Sequence, residues 1–333
     1  MPEILKVVIV GSGDMGGTHL RGYAALEDVY VAAVADPDLG RAAALAEAHH
    51  VPKTYADYHE AIQAEKPDIV SVCVPAFLHC EAALYAMEHG CHVLCEKPIA
   101  LTLEDGQHMA EVSERLGGRM GVVFQRRYLE VWKEVERRLP LLGKPLSYQT
   151  TDFRPIRPKR LMHSRSGNGG PVIDCCVHDF DMAMHLLGPV ESVYAVGEVF
   201  AMGKHELSAI SDLAIDTANI SLRFANRHSA LLSYCWGLPT GFHDITRTEI
   251  LGPNGMLRID SGGLEHHMGG GRIETVAGLD TNGHAAQIAA YIQALRKDGP
   301  LPVAPHEALQ ALRVAHAALH SIAGQVQFLQ RGQ

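Results

Sequence analysis

The N-terminal part of the chain joins an apolar run, a glycine-rich loop and a helical segment in that order, which strongly limits its fold. Residues 4–10 are apolar except for Lys6, as expected of a strand buried on both faces of a parallel sheet. The loop Gly11-Ser12-Gly13-Asp14-Met15-Gly16 follows directly. Its glycines permit a tight turn, close approach of a pyrophosphate and close packing of helix on strand. The order predicts a dinucleotide-binding unit.

Strand-like and helical segments continue to alternate through the first 125 residues, which predicts an α/β domain with a doubly wound parallel sheet. Beyond residue 126, strand-like runs follow one another through tight turns such as the one at 252–255. We therefore predict a dinucleotide-binding domain over 1–125. Residues 126–333 are predicted to form a second α/β domain with an open, mostly antiparallel sheet.

Composition excludes several classes of protein. The chain has 333 residues, of which 47% are apolar, and a net charge of -9, which argues against a general nucleic-acid binder. No apolar run approaches the roughly 20 residues of a membrane span, and the strand-like start leaves no room for a signal peptide. The seven cysteines lack a framework or zinc-knuckle spacing, so we expect reduced thiols, a cytoplasmic location and no metal.

Asp36 indicates which dinucleotide the loop would bind. It ends the second strand-like run, twenty residues after Gly16, where a carboxylate can accept a hydrogen bond from a ribose 2′-hydroxyl. The same charge would repel a 2′-phosphate, and no basic residue directly follows it. We therefore expect NAD rather than NADP, the alternative being a purely structural turn.

Lys97, Asp174 and His178 are the candidates for alcohol oxidation. His178 is the best general base by its ordinary pKa, and Asp174, four residues earlier on a predicted helix over 172–187, would share its helix face. Lys97 follows an apolar strand, where its ammonium group could stabilise charge on the substrate oxygen. The alternatives are a surface salt bridge on the helix and a solvated lysine.

The combined motifs resemble the Gfo/Idh/MocA oxidoreductases over essentially the whole chain. The Arg126-Arg127-Tyr128 and His178-Asp179-Phe180-Asp181 segments are most similar to the inositol 2-dehydrogenase branch. The motifs that carry the resemblance are the glycine loop, Ala35-Asp36-Pro37, Pro75 with His79, Glu96-Lys97-Pro98, and the stretch from Gly169 through Asp174 to Asp181.

This resemblance implies an NAD-dependent dehydrogenase that oxidises a secondary alcohol of an inositol-like polyol or sugar, with Lys97, Asp174 and His178 as catalytic residues. Val74-Pro75-Ala76 replaces the family's usual Thr-Pro-Asn, so side-chain contacts to the cofactor are lost there. The implied cofactor-binding residues are Gly11, Ser12, Gly13, Asp14, Met15, Gly16, Asp36, Val74, Pro75, Ala76, Glu96 and Lys97. The implied substrate-binding residues are Lys97, Arg127, Asp174, His178, Asp181 and His243.

Three further hypotheses remain open from the sequence. The basic segment 154–165 is either a solvated loop or a lid that favours an acidic sugar. The chain could also be a sugar 1-dehydrogenase, a ketosugar reductase, a transient-redox NAD-assisted glycosidase, or a non-catalytic dinucleotide-binding regulator. Alternating apolar residues in the second domain predict a homodimer or homotetramer: Ile220, Leu222, Phe224, Leu231 and Tyr234.

Overall fold

The computed structural model describes residues 4–324 and the backbone of residues 327 and 328, and it divides into two compact units. The first unit contains the chain up to Tyr128 together with 282–309, and the second contains 129–281 and the chain from 310 onward. The predicted boundary after residue 125 lies close to Tyr128. Residues 282–309, which the sequence prediction placed in the second domain, belong to the first unit.

The described residues form the following elements. The strands, in chain order, are β1 (Leu5–Val10), β2 (Val29–Ala35), β3 (Lys53–Tyr55), β4 (Ile69–Val72), β5 (His92–Cys95), β6 (Met120–Val122), β7 (Ser147–Pro155), β8 (Val190–Glu198), β9 (Thr217–Phe224), β10 (Ser229–Leu238), β11 (Ile245–Gly252), β12 (Gly255–Asp260), β13 (Gly263–Met268), β14 (Ile273–Val276) and β15 (Gln327–Phe328). The helices, in chain order, are α1 (Asp14–Ala24), α2 (Leu39–Ala48), α3 (Tyr58–Glu65), α4 (His79–Glu88), α5 (Leu103–Arg115), α6 (Glu130–Arg138), α7 (Gly170–Asp174), α8 (Cys176–Leu187), α9 (Gly283–Arg296) and α10 (Pro305–Ile322).

The first unit is built on a parallel six-stranded sheet in the order β3-β2-β1-β4-β5-β6, which confirms the predicted fold class. Val7, Val8 and Ile9 of the central strand β1 are fully buried. The strand order reverses between β1 and β4, and ligands of such sheets bind outside the carboxyl ends of the strands at this point. The sequence analysis missed β3, a three-residue edge strand without an apolar run.

Packing explains why α9 belongs to the first unit. Ile288 of α9 is 1% exposed and packs in the same core as Ile9 and Leu20. A β-carbon on Gly22 of α1 would lie 2.4 Å from the Ile288 Cδ1 atom, so the two helices approach too closely for a side chain there. Burial of its apolar side chains in this core therefore assigns α9 to the first unit, although α9 follows the strands of the second unit in the sequence.

The second unit contains a nine-stranded sheet in the order β14-β13-β12-β11-β7-β10-β9-β8-β15. Strands β7 and β10 run parallel, and the other described pairs are antiparallel, which confirms the mostly antiparallel prediction. In the described part of the chain, no helix combines the length and apolarity needed to cross a bilayer.

The alternation of buried and exposed side chains along these strands corrects the prediction of which residues form an oligomer interface. Ile220, Leu222, Phe224 and Tyr234 are buried inside the unit, and only Leu231 of the five predicted residues faces outward, at 43% exposure. The strand register aligns Leu231 with Ser221 and Ser221 with Tyr194. The exposed apolar residues of this face therefore lie on β8 and β10: Tyr194, Val196 and Leu231.

Candidate active site

The glycine loop lies at the carboxyl end of β1, and each of its three motif glycines is required for a different local reason. Gly11 has φ +102°, and a β-carbon there would lie 2.6 Å from the carbonyl oxygen of Cys73. A β-carbon on Gly16 would lie 2.0 Å from the Gly11 carbonyl oxygen. By contrast, the nearest atom to a β-carbon on Gly13 is an Arg41 guanidinium nitrogen at 3.5 Å, so the protein leaves room there for a ligand.

Helix α1 completes a site suited to phosphate. It begins at Asp14, and its N-cap residue Gly13 offers no side chain to satisfy the first N–H groups. Free N–H groups and the positive end of the helix dipole together favour an anion such as a pyrophosphate. The residues of this loop therefore fit a dinucleotide.

Asp36 follows β2 and anchors the loop directly. One of its carboxylate oxygens accepts the Ser12 N–H at 2.8 Å and the Ser12 hydroxyl at 2.7 Å, and the other accepts the Asp38 N–H at 2.9 Å. Partial burial raises the pKa of Asp36, but these bonds outweigh burial and hold the pKa below its usual value. Because a carboxylate has about four acceptor positions, one remains for a ribose hydroxyl.

His79 joins the chain segments that follow β4 and β5. Its Nε2 lies 2.9 Å from the Val74 carbonyl oxygen and its Nδ1 lies 2.8 Å from the Pro98 carbonyl oxygen. The ring is 1% exposed, and burial lowers the pKa of His79 although the two carbonyls favour its charged form. His79 therefore contacts both the Val74-Pro75-Ala76 segment and the turn after Lys97, which indicates a structural role for this histidine.

Lys97 is partly buried at the carboxyl end of β5, next to a fully buried polar cluster. The preceding residue, Glu96, is 4% exposed and contacts His19 of α1, with 2.9 Å between its Oε1 and the His19 Nε2. Sequence analysis missed His19, which is 77 residues away along the chain. The available signal was Glu96 itself, because a carboxylate at the end of a buried strand requires a partner.

Arg127, a predicted substrate-binding residue, is engaged within the first unit. Its guanidinium lies 2.7 Å from a carboxylate oxygen of Glu307 on α10. The Arg127 side chain is 16% exposed. A substrate contact from Arg127 would therefore have to share a guanidinium that already binds a carboxylate.

Asp174 and His178 lie in the second unit, in a geometry that differs from the predicted single helix over 172–187. Asp174 is the last residue of α7, and α8 begins at Cys176. Cys175 between them has φ -109° and ψ -49°, which interrupts the helix. The prediction of an uninterrupted i, i+4 pair is therefore wrong. Both side chains are nevertheless buried, with 4% of Asp174 and 7% of His178 exposed.

Asp179, directly after His178, links α8 to the sheet. Its carboxylate accepts a hydrogen bond from the Tyr148 hydroxyl at 2.6 Å and another from the Tyr234 hydroxyl. These tyrosines belong to the neighbouring strands β7 and β10. Sequence analysis missed this cluster. The predicted substrate residue Asp181 lies two residues further on and is 1% exposed.

An arginine–carboxylate cluster lies at the end of β7. Arg154 forms two hydrogen bonds to Asp152, at 2.5 and 2.8 Å, and its guanidinium lies 3.6 Å from Asp244. Arg157 lies 3.7 Å from the same Asp244 oxygen. Two arginines thus face two carboxylates. The hydrogen bonds that Arg154 donates to Asp152 raise the pKa of Arg154, and Cys175 also contributes electrostatically, which places the cluster close to the α7–α8 junction.

The other predicted features of this region are exposed. His243 lies in the exposed loop before Asp244. The remaining basic side chains of 154–165 are also exposed: Lys159, Arg160 and Arg165. Within the described residues, no group of three or more histidine, cysteine, aspartate or glutamate side chains could hold a metal ion.

Two family models cover most of the chain. The model described as an oxidoreductase family with an NAD-binding Rossmann fold matches residues 5–124, and its companion for the C-terminal alpha/beta domain matches residues 141–327. The chain belongs to the Gfo/Idh/MocA oxidoreductase family. The predictions of an NAD-dependent oxidoreductase and of NAD as its cofactor are thereby confirmed.

Similar proteins include dehydrogenases of several substrates. D-glucoside 3-dehydrogenase of Escherichia coli K12 is 35% identical over 57% of this chain and 57% of its own length, so the match spans less than two thirds of that relative. Myo-inositol 2-dehydrogenase of Thermotoga maritima is 29% identical over 77% of this chain and 75% of its own length. The WlbA dehydrogenase of Bordetella pertussis, crystallised with NADH and UDP-GlcNAcA, shares the fold with a TM-score of 0.85 at 22% identity, covering 99% and 100% of the two chains.

Proposed function

We propose that this protein oxidises a secondary alcohol of a neutral cyclic polyol or sugar, such as an inositol or a glucoside. Relatives with these activities support the substrate class. The observation that carries the proposal is the arrangement around the α7–α8 junction. There, Asp174 and His178 are buried, and Cys175 between them interacts electrostatically with Arg154, in a cluster of two arginines whose charge is matched by Asp152 and Asp244.

The matched cluster favours a neutral ligand over an acidic sugar. Arg154 and Arg157 already contact two carboxylates, so binding a further carboxylate would require displacing one of them. Alternating donors and acceptors instead suit the hydroxyl groups of a polyol, which both donate and accept hydrogen bonds. This argues against the acidic-sugar interpretation of the basic segment.

The proposed catalytic groups are Lys97 of the first unit and Asp174 and His178 of the second. NAD, when bound by the glycine loop and Asp36, supplies the hydride acceptor. The His178 imidazole takes the proton from the substrate hydroxyl, and Asp174 stabilises the resulting imidazolium. Lys97 stabilises the negative charge that develops on the substrate oxygen. Arg127, Asp181 and His243 remain proposed contacts to other substrate hydroxyls.

A substrate panel tests this proposal. Purified protein is mixed with NAD and, separately, myo-inositol, scyllo-inositol, glucose, methyl glucoside or glucuronate, and the absorbance of the reduced cofactor is followed. We expect NADH to accumulate with at least one neutral cyclic compound and more slowly with glucuronate. Preference for glucuronate would contradict the neutral-substrate assignment.

Two further readouts distinguish the glycosidase and regulator alternatives. Release of nitrophenol from a nitrophenyl glycoside, dependent on NAD but without net NADH, would indicate the transient-redox glycosidase. NAD binding by calorimetry without turnover of any panel member or of the corresponding ketones would indicate the non-catalytic regulator.

We also propose that the outward face of the second unit's sheet forms a homodimer or homotetramer contact. Tyr194, Val196 and Leu231 are 59%, 48% and 43% exposed and lie on β8 and β10, which flank β9. Leu231→Lys would place a charge within this apolar cluster and should weaken self-association by about tenfold or more. Light scattering over a micromolar dilution series measures this. A monomeric parent protein at these concentrations would contradict the proposal.

A further inference from the structure

A buried polar cluster in the first unit lies beneath the turn that carries Lys97. His19 of α1 is fully buried, and its Nδ1 lies 2.6 Å from the Ser71 hydroxyl oxygen on β4. Its Nε2 lies 2.9 Å from Glu96 Oε1 at the end of β5. The imidazole therefore connects one helix with two neighbouring strands of the parallel sheet.

The contacts identify the cluster as an ion pair. Burial by itself lowers the pKa of His19, but interactions with Cys73 and Glu96 outweigh burial and raise the pKa from 6.5 to about 10. Burial raises the pKa of Glu96, but the hydrogen bond from His19 outweighs it and the pKa is lowered. At neutral pH, a buried imidazolium thus faces a buried carboxylate, an arrangement in which loss of either partner is costly.

Glu96 passes this constraint to Lys97. Its second oxygen, Oε2, accepts the Lys97 backbone N–H at 3.2 Å. The Lys97 ammonium in turn interacts electrostatically with the Glu96 carboxylate. One carboxylate therefore fixes the backbone at Lys97 and contributes to the electrostatic environment of its amine.

Other titratable groups around Glu96 are few in the described part of the first unit. His284 at the start of α9 lies 3.9 Å from Glu96 Oε1, and burial lowers the pKa of His284. His79 of α4 interacts electrostatically with Lys97, and burial also lowers the pKa of His79.

Tyr23 of α1 reaches Ser71 at 3.5 Å, and burial raises the pKa of Tyr23. Cys73, directly after β4, contacts His19, and Cys95 of β5 interacts with Glu96. The ionised partner of Glu96 on α1 is thus His19.

We propose that His19 and Glu96 are positioning residues for Lys97: the ion pair fixes its backbone, and the balance of the two charges sets the proton affinity of its amine. The effect on catalysis rests on the role proposed above for Lys97. The titration of the amine can be measured whether or not that role is right.

The two single variants have opposite electrostatic consequences. His19→Gln leaves the Glu96 carboxylate without its cation, and a nearby uncompensated negative charge raises the proton affinity of an amine. Glu96→Gln removes the negative charge beside Lys97, so the proton affinity of the amine falls. The double variant His19→Gln/Glu96→Gln buries no charge and retains two amides that can hydrogen-bond. It therefore provides a test even where a single variant does not fold.

Competitive acetylation across a pH series, with mass spectrometry of the peptide that contains Lys97, reports the titration of this amine. We expect its midpoint to rise by roughly one pH unit in His19→Gln, to fall by roughly one in Glu96→Gln, and to lie between these two values in the double variant. Glu65→Gln is the matched control, because Glu65 is also buried in the first unit but pairs with Lys53 at the opposite edge of the sheet. It should leave the Lys97 midpoint unchanged.

Equal midpoints in the parent, both single variants and the control would overturn the proposal, and so would a double variant whose kcat equals that of the parent. Kinetics add a second readout: kcat should fall about tenfold in the double variant while the KM for NAD changes much less. If the midpoints shift as expected but Lys97→Ala retains full activity, the positioning of Lys97 is supported and its proposed catalytic role is wrong. This separates the two proposals.

Discussion

In each unit a buried carboxylate lies next in sequence to a proposed catalytic residue, and the two carboxylates have different partners. In the first unit, Glu96 directly precedes Lys97 and contacts the imidazolium of His19. In the second, Asp179 directly follows His178 and accepts hydrogen bonds from two tyrosine hydroxyls. Each carboxylate is at most 4% exposed. The same requirement, satisfying a buried carboxylate beside a reactive group, is met by a charged donor in one case and by phenols in the other.

The difference has consequences for pH dependence. An imidazolium loses its proton within an accessible pH range, whereas a phenol ordinarily stays protonated below about pH 10. The contribution of the His19 pair to stability should therefore decline as the pH rises from 6.5 through about 10, whereas phenols keep their protons below about pH 10. The comparison predicts that the first unit responds more strongly to pH, and substitutions in each unit can test this.

The largest expected effect is the loss of His178 itself. His178→Ala removes the proposed general base and should lower kcat by roughly 10²–10⁴-fold. The oxidation rate should rise with pH in the parent enzyme as the proposed base loses its proton, and the variant should lose this rise. Steady-state rates between pH 6 and 10 measure both effects.

NAD affinity by calorimetry is the control for His178→Ala. It should stay close to that of the parent, because the residue belongs to the second unit and the glycine loop to the first. A variant with near-normal kcat, or one that loses NAD affinity together with activity, would show that His178 is structural and that the base lies elsewhere.

The fold could be predicted from the sequence because local patterns determine it. The apolar run before Gly11 and the spacing to Asp36 already indicate a parallel sheet with a dinucleotide loop. The supports of the site depend on contacts between distant segments, such as that of His19 with Glu96 and that of Tyr234 with Asp179. No local pattern encodes such pairs, so sequence reasoning identified Glu96 but not His19, and it missed the contact between Tyr234 and Asp179.

The helix break at Cys175 escaped prediction for a related reason. The sequence around it has no proline or glycine inside the interval 172–187 that would signal an interruption. The preceding glycines do adopt left-handed conformations, with φ +77° at Gly169 and +72° at Gly170, and they begin α7. The break lies in a segment that is buried on both sides of Cys175, and the local sequence does not indicate it.

The second prediction concerns stability in alkaline solution. The pKa of His19 is raised from 6.5 to about 10 in the folded protein, so its stabilisation is complete below pH 6.5 and is lost as pH rises through 10. At about 1.4 kcal/mol per pKa unit, this amounts to a few kcal/mol. The melting temperature should fall by roughly 5–10 °C between pH 7 and 10, measured by scanning fluorimetry.

His19→Gln/Glu96→Gln is the comparison protein for this measurement. Without the ion pair, its melting temperature should depend less on pH over the same interval, although other groups that titrate there act in both proteins. Parallel pH profiles for the parent and the double variant would contradict the charge assignment. They would also remove the proposed difference between the two units.

A third prediction addresses cofactor choice in the first unit. Asp36→Ala should lower kcat/KM for NAD by roughly 10–100-fold, because a carboxylate contact to the ribose is lost together with the bonds to Ser12. The ratio of kcat/KM for NAD to kcat/KM for NADP should become smaller for the same reason. Ser12→Ala is the control, since it removes one bond to the loop but keeps the carboxylate. An Asp36→Ala enzyme that still strongly prefers NAD would place the determinant elsewhere.

The smallest expected effects come from removing single hydroxyl groups beside the two buried partners. Tyr234→Phe deletes a hydrogen bond to the Asp179 carboxylate and should lower the free energy of unfolding by about 1.5 kcal/mol, equally at pH 6 and pH 8.

Ser71→Ala deletes a neutral partner of His19 and should lower the free energy of unfolding by about 1 kcal/mol. Because the alanine variant also exposes the imidazolium to a less polar surrounding, its cost should be greater at pH 6 than above pH 10, where the parent loses the same proton. Urea unfolding at these pH values measures both variants. A pH-dependent Tyr234→Phe together with a pH-independent Ser71→Ala would reverse the comparison, and would mean that the titrating support lies in the second unit.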